Sequence, residues 1–346
     1  MGPLAKELIC AASRAVGGCA VLRAVADRFT VHRGEGAAFP VPRARREHVF
    51  QVLTYHRVSP YADGVFDPVH PAIFEAHVAH VARHYRVLTA GELVRRAAEG
   101  TLPPRGVAIT LDDGYGDNYE FAFPILTKFR VPATVFLSTG PLDSGVPLWH
   151  DQVFTAFALS DKGSAECLGR KWEFEGPAAC WRAAQAVAAH LRTLGPEGFA
   201  AGVAEVCRSL GVAPERALER APMLTWDQAR KMSAAGIELG GHTVTHPILS
   251  RLDRKTQEHE IVSSLERIEA ECGKRPAVFA YPNGREGDYA EETVSLLKGA
   301  KVMGAFTTEF GTNDRSTDPY RLRRGAPWEV EPAIFALKLS WYRLCS

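Results

Sequence analysis

Short apolar runs rich in Val, Ile and Phe recur along this chain, each ending in a polar turn and followed by a stretch with helical periodicity. They are VFQVLTY (49–55), GVAITL (106–111), PATVFLS (132–138), GIELGG (236–241), PAVFAY (276–281), MGAFTT (303–308) and YRLRR (320–324). Runs of this length and composition read as strands buried on both faces, as in a parallel sheet. The stretches 71–85, 118–129, 225–235, 253–272 and 290–298 supply the helical crossovers that parallel strands need. The clearest is 253–272, with Asp253 as N-cap, Ile261, Leu265 and Ile268 on one face, and Gly273 and Pro276 at its end. Strand–helix alternation predicts an α/β fold, and the number of repeats favours a closed barrel over an open sheet.

One region breaks the rhythm. Residues 150–224 are Ala-rich, carry Trp172 and Trp181, and show helical periodicity with little strand character. They are expected to form a helical insertion at about 150–224 within a barrel spanning 49–346, shaping a substrate groove. Residues 1–48 precede the first strand as an N-terminal helical extension, with Leu4, Leu8, Ala11, Ala12 and Ala15 on one face. Lys6, Glu7, Arg14 and Arg23 interrupt it too often for the apolar core of a signal peptide. Its two readings are a helix packed on the domain and a helix lying on a membrane surface. The expectation is a cytoplasmic protein, with peripheral membrane contact under the second reading.

Composition narrows the function classes. A formal net charge of +1 over 346 residues lacks the basic surplus of a nucleic-acid binder, and the cluster RARRE (43–47) reads as a solvated loop. The seven cysteines include no CxxC pair, which suits a reducing compartment or buried thiols better than a disulfide framework. No apolar run is long enough for a transmembrane helix.

The chemistry concentrates at strand ends. ITLDDGYG (109–116) places Asp112 and Asp113 directly after a strand, where the rim of a parallel barrel carries its active site. Neighbouring carboxylates repel unless a cation lies beside them, although Asp-Gly is also a common turn or cap. A second segment, IELGGHTVTHPILS, puts His242 and His246 four apart after another strand. With one aspartate they would make a three-ligand site that leaves a position open for water. The other aspartate would then serve as general base.

The segments TLDDGY and GGHTVTHP resemble the first two motifs of the carbohydrate esterase family 4 polysaccharide deacetylases. The resemblance covers roughly 49–325 and implies a distorted (β/α)7 barrel that removes acetyl groups from N-acetylated sugars with a divalent metal, usually zinc. It implies that Asp112 is the base and that Asp113, His242 and His246 bind the metal. Ligands of this kind accept Zn²⁺, Co²⁺ or Ni²⁺. The third family motif, Arg-x-Pro-Tyr, is matched here by Ala280, Tyr281, Pro282 and Asn283, without its arginine. Arg323, in YRLRR, is the expected substitute for orienting the base. The motif tyrosine contributes a backbone N–H to the oxyanion, which Asn283 can supply whatever its side chain. The family's C-terminal acid histidine is missing, since no histidine follows His259. His56, in LTYHRVSP, matches the arrangement of a subgroup resembling the poly-N-acetylglucosamine deacetylases and would protonate the leaving amine.

The other histidines carry less. His77, His80 and His84 recur at helical spacing opposite Phe74, Val78, Val81 and Tyr85 and are expected to be mostly solvated. Trp149, before His150 in PLWHDQV, is expected to border the groove, either stacking on a sugar or packing in the core. The expected partner is an N-acetylated carbohydrate. Two alternatives are a deformylase or amidase cutting another non-peptide C–N bond, and a noncatalytic glycan-binding protein on the same fold.

Overall fold

A computed structural model describes residues 49–61, 68–327 and 329–345. The N-terminal helical face and the basic cluster at 43–47 lie outside the described residues. The strands are β1 (Gln51–Tyr55), β2 (Arg86–Val87), β3 (Gly106–Leu111), β4 (Thr134–Leu137), β5 (Ser164–Cys167), β6 (Arg170–Glu173), β7 (Glu238–Gly241), β8 (Val278–Ala280), β9 (Gly304–Phe310) and β10 (Leu322–Arg324). Parallel pairing runs β1–β3–β4–β7–β8–β9–β10. The ring then closes, because Gly325 N–H donates to Val52 O at 2.8 Å and Thr54 N–H donates to Gly325 O at 2.9 Å. Closure leaves no long edge open to other chains. The barrel is uneven: β1 and β3 share a full-length register, whereas β7 and β8 meet only at Gly241 and Phe279. This is the distorted (β/α)7 barrel expected from the sequence, with β2 as a short extra strand beside the start of β3.

Period-two alternation assigns the side chains. Val52, Ala108, Phe136, Val278, Ala280, Phe306 and Leu322 fill the barrel interior, while Leu53, Tyr55, Val107, Ile109, Leu111, Val135 and Leu137 face the helical layer. Continuing the interior face beyond the strand ends brings in His56, Asp112, Ser138, His242 and Arg324. The barrel interior therefore ends in a polar floor at one rim.

The stretch after β4 holds the helices Trp149–Leu159, Pro177–Leu191, Pro196–Leu210 and Arg216–Arg220 around their own core of Phe157, Trp172, Phe174, Val187, Leu191 and Val206. It also holds two short strands, in a stretch whose sequence shows little strand character. β5 and β6 form an antiparallel hairpin closed by Leu168 and Gly169, both left-handed at φ 57° and 66°. Leu is a poor residue for that conformation, so the turn carried no readable sequence signal. A final helix, Pro332–Cys345, lies against Pro71–His84 and corrects the reading of His77. His77 is 1% exposed, its ring stacked on Phe335 at 3.8 Å, with nitrogens bonded to Tyr55 Oη and Glu329 O. Among the described residues no helix is long and apolar enough to cross a membrane. Cys167, Cys180, Cys207 and Cys272 are free thiols.

Candidate active site

Asp113 leaves β3 in the left-handed region at φ 75°, followed by Gly114 at φ 84°. The turn swings its carboxylate away from that of Asp112 and toward the loop after β7. There Asp113 Oδ1 lies 3.2 Å from His242 Nε2 and 3.3 Å from His246 Nε2. All three side chains are buried, and their ligand atoms lie within 4.8 Å of one another. Thr243, His246 and Asn283 are also left-handed, at φ 67°, 61° and 58°. Such positions cost about 1–3 kcal/mol each and persist where surrounding contacts impose them.

Those contacts are specific. Ala280 O can only accept, so its 2.7 Å bond to His242 Nδ1 puts a proton on Nδ1 and turns Nε2 toward Asp113. Buried Glu260, on the helix Arg254–Cys272, accepts from Val244 N–H at 2.8 Å, Thr245 N–H at 2.9 Å and the Thr245 hydroxyl at 2.7 Å. Thr243 Oγ1 accepts from His246 N–H at 3.0 Å, and Trp149 Nε1 donates to His246 O at 3.2 Å. Gly240 and Gly241 are required by close packing: a Cβ on Gly240 would meet the Phe136 ring at 2.4 Å, and one on Gly241 would meet Leu265 at 2.7 Å.

The donor set fits a divalent cation. Asp113 Oδ1 is buried and receives no hydrogen bond, and His246 Nδ1 is likewise buried without one. Burial alone would push the Asp113 carboxyl up, but His242 and His246 hold it well below the ordinary carboxylate range. A carboxylate oxygen and two imidazole nitrogens, converging on one point, are the ligand types of a Zn-class site.

Asp112, 1% exposed, faces the barrel interior. Arg324 grips it with two bonds of 2.8 Å, Nη1 to Oδ1 and Nη2 to Oδ2, while Arg324 Nε donates to Thr307 O at 2.7 Å. This corrects the expectation for Arg323. A one-residue step along a strand reverses the face: Arg323 is exposed, with its backbone N–H on Asn313 Oδ1 at 2.8 Å, while buried Arg324 points inward. Burial would raise the Asp112 pKa, but the charges of Arg324, His242 and His56 lower it overall.

His56 Nε2 lies 4.0 Å from Asp112 Oδ2. Its carbonyl accepts from Asn118 Nδ2 at 2.8 Å, and the next residue, Arg57, pairs with Asp117 Oδ2 at 2.8 Å. Asp117, Asn118 and Glu260 were missed by sequence reasoning; Asp117 and Asn118 directly follow DDGYG, but nothing in their spacing shows what they hold.

Tyr281 is closed off rather than lining an opening. Its hydroxyl donates to Tyr320 O at 2.9 Å and its ring stacks on Tyr289 at 4.0 Å. After Pro282, Asn283 turns left-handed, its carbonyl accepting from Thr308 Oγ1 at 2.6 Å. No acceptor among the described residues meets the Asn283 backbone N–H. Trp149 is 6% exposed and edged by Phe199 at 5.1 Å, which favours the core over the sugar-stacking alternative. Its neighbour His150 meets the His246 ring edge-to-face at 5.0 Å and bonds Tyr115 Oη at 3.0 Å. Tyr115 Oη in turn donates to Asp151.

The family profile described as polysaccharide deacetylase matches residues 99–303, more than half of the chain. The chain belongs to the polysaccharide deacetylase family. The matched range contains Asp112, Asp113, His242 and His246, whereas His56 and Arg324 lie outside it. The Bacillus subtilis protein YxkH, whose name assigns it to the same family, is 23% identical over 275 residues, 79% of this chain and 69% of that protein. The poly-beta-1,6-N-acetyl-D-glucosamine N-deacetylase of Staphylococcus aureus is 38% identical over 68 residues, 19% of this chain and 23% of its own length. Among solved structures, IcaB from Ammonifex degensii superposes with a TM-score of 0.56 at 19% identity, covering 86% of this chain and 97% of that one. That likeness shows the shared fold. As a polysaccharide deacetylase, the protein is an enzyme that removes N-acetyl groups from a glycan.

Proposed function

We propose that this deacetylase is zinc-dependent, with Asp113, His242 and His246 as ligands, Asp112 as base and His56 as acid. Co²⁺ and Ni²⁺ suit the same donors. The observation that carries the reading is the buried Asp113 Oδ1, lying between two imidazole nitrogens with no hydrogen-bond donor of its own. The cation supplies Lewis acidity toward an acetyl carbonyl and a water. Asp112, kept ionised and fixed in orientation by Arg324, takes a proton from the attacking water. The Asn283 backbone N–H, which meets no acceptor among the described residues, donates to the developing oxyanion. His56, whose Nε2 lies 4.0 Å from Asp112, gives its proton to the departing sugar nitrogen, so that acetate and a free amine leave. The Staphylococcus aureus match is short, so it supports an N-acetylglucosamine unit rather than a particular polymer.

The deciding experiment is acetate release from N-acetylglucosamine oligomers by protein stripped with a chelator and then reloaded with Zn²⁺, beside Asp112→Asn. Activity that returns with zinc and is lost in the variant supports the reading. Equal activity with and without metal sinks the ligand assignment, and release of formate or ammonia instead of acetate moves the protein to a different acyl group.

A further inference from the structure

The insertion brings a cation to the site that the hydrolysis itself does not use. Arg192 follows the helix Pro177–Leu191, and its Nε is buried without a hydrogen-bond partner among the described residues. Its guanidinium carbon stands 5.9 Å from the centroid of the Trp149 ring, and Trp149 holds the carbonyl of the metal-loop residue His246. A cation–π contact of this kind engages no N–H donor, so it leaves the buried Nε unsatisfied. Arg192 is only partly buried, but its Nε is closed off from water, and a closed-off N–H without an acceptor is costly.

Its surroundings are short of negative charge. Burial depresses the Arg192 pKa, the cation of Arg285 adds to that, and Asp288 opposes both. Asp288 Oδ2 also accepts from the Arg285 backbone N–H at 2.9 Å, so this one carboxylate serves both segments. Arg285 lies two residues beyond Asn283, in the loop that follows the oxyanion position, and Arg251 closes the short turn Leu249–Arg251 after the metal loop. The side chains of Arg285 and Arg251 are exposed, and neither forms an ion pair among the described residues. Arg192, Arg285 and Arg251, from three separate elements, all act electrostatically on Asp288, and the backbones of the last two segments meet where Ser250 N–H donates to Asp288 O at 3.0 Å.

We infer that Arg192, together with Arg285, forms a subsite for an anionic group carried by the glycan beside the acetamido sugar, a uronate carboxylate or a sugar-linked phosphate. The planar fork of arginine matches either anion with two parallel hydrogen bonds. The subsite rests on the deacetylase reading and narrows its substrate class.

The test is the ratio of kcat/KM for anionic and neutral substrates on the zinc-loaded protein. The probes are the neutral N-acetylglucosamine tetramer, a hyaluronan tetrasaccharide that carries glucuronate, and UDP-N-acetylglucosamine, which carries a diphosphate. A charge-assisted hydrogen bond predicts a preference of about tenfold or more for one of the anionic probes, and which probe wins separates carboxylate from phosphate. Arg192→Gln should bring the ratio to within about twofold of unity, and Arg192→Lys should keep part of it. If Arg192→Gln does not fold, an ionic-strength series on the unaltered protein decides the same question, because the preference must shrink with salt. Equal turnover of neutral and anionic probes overturns the subsite and leaves the deacetylase reading standing. No acetate from any probe overturns both.

Discussion

Asp112 and Arg324 define the site at the level of single side chains. A carboxylate that is 1% exposed stays ionised here because a guanidinium meets both of its oxygens, and the same bonds fix the direction in which its free lone pairs point. Asp112→Asn keeps the shape and removes the base, so kcat/KM should fall by about 10²–10⁴-fold while zinc content, read by metal analysis, stays near one equivalent. Arg324→Gln strands a buried charge, an effect of about 3–5 kcal/mol, and should lower the denaturation midpoint as well as the rate. Arg323→Gln, one residue earlier and solvent-facing, should change neither by more than about 0.5 kcal/mol. Equal effects from the two arginines would mean that the pairing in the barrel is wrong. The same pair of arginines shows what a sequence can convey about a site. The aspartate pair and the two histidines were legible because their chemistry is rare and their spacing is local. The choice between Arg323 and Arg324 depended on which face of β10 turns inward, and three residues of strand give too little alternation to settle it.

Among the elements, the loop after β7 is held most elaborately. Two imidazoles sit four residues apart with left-handed backbone at Thr243 and His246, a conformation the loop keeps because Glu260, Thr243 and Trp149 satisfy its polar groups. Glu260→Ala removes the carboxylate that collects two backbone N–H groups. It should weaken zinc about 10–100-fold, measured by competition with a chromophoric chelator, with little change in helical content. Unaltered affinity would show that the loop holds its shape without the helix behind it. The barrel strands were legible because buried parallel strands are near-continuous apolar runs. Glu260 was not, because on its own helix it is one more acidic residue among several, and only the tertiary fold puts a loop against it. The hairpin β5–β6 escaped for a local reason, its Leu-Gly turn offering none of the usual residues.

At the scale of the whole molecule, the C-terminal helix and the helix Pro71–His84 share a histidine that must stay neutral. His77 bonds Tyr55 Oη and Glu329 O and stacks on Phe335, and burial pushes its pKa down to about 4. Because the folded value lies below the unfolded value of about 6.5, the unfolded chain binds the extra proton first. Stability is therefore unaffected by His77 above the unfolded value and falls as the pH drops from there toward about 4. His77→Gln should flatten the decline of Tm between pH 7 and pH 5 while lowering Tm at neutral pH; parallel Tm–pH curves would assign the acid sensitivity elsewhere. A second long-range tie runs from Arg57, paired with Asp117, to Arg220 O at 2.8 Å, fastening the end of the insertion to the loop that carries His56.

The ring closure has a consequence in time. Asp112 and its arginine are separated by 212 positions, and the barrel closes on β1 through Gly325, directly after β10, the last strand to be made. A ribosome therefore exposes the proposed base, ligands and acid well before it releases the arginine that grips Asp112. Until then the carboxylate lacks the guanidinium that meets both of its oxygens. Catalytic competence should arrive abruptly and late in synthesis, so that the first acetate a nascent chain releases reports the moment its barrel shuts.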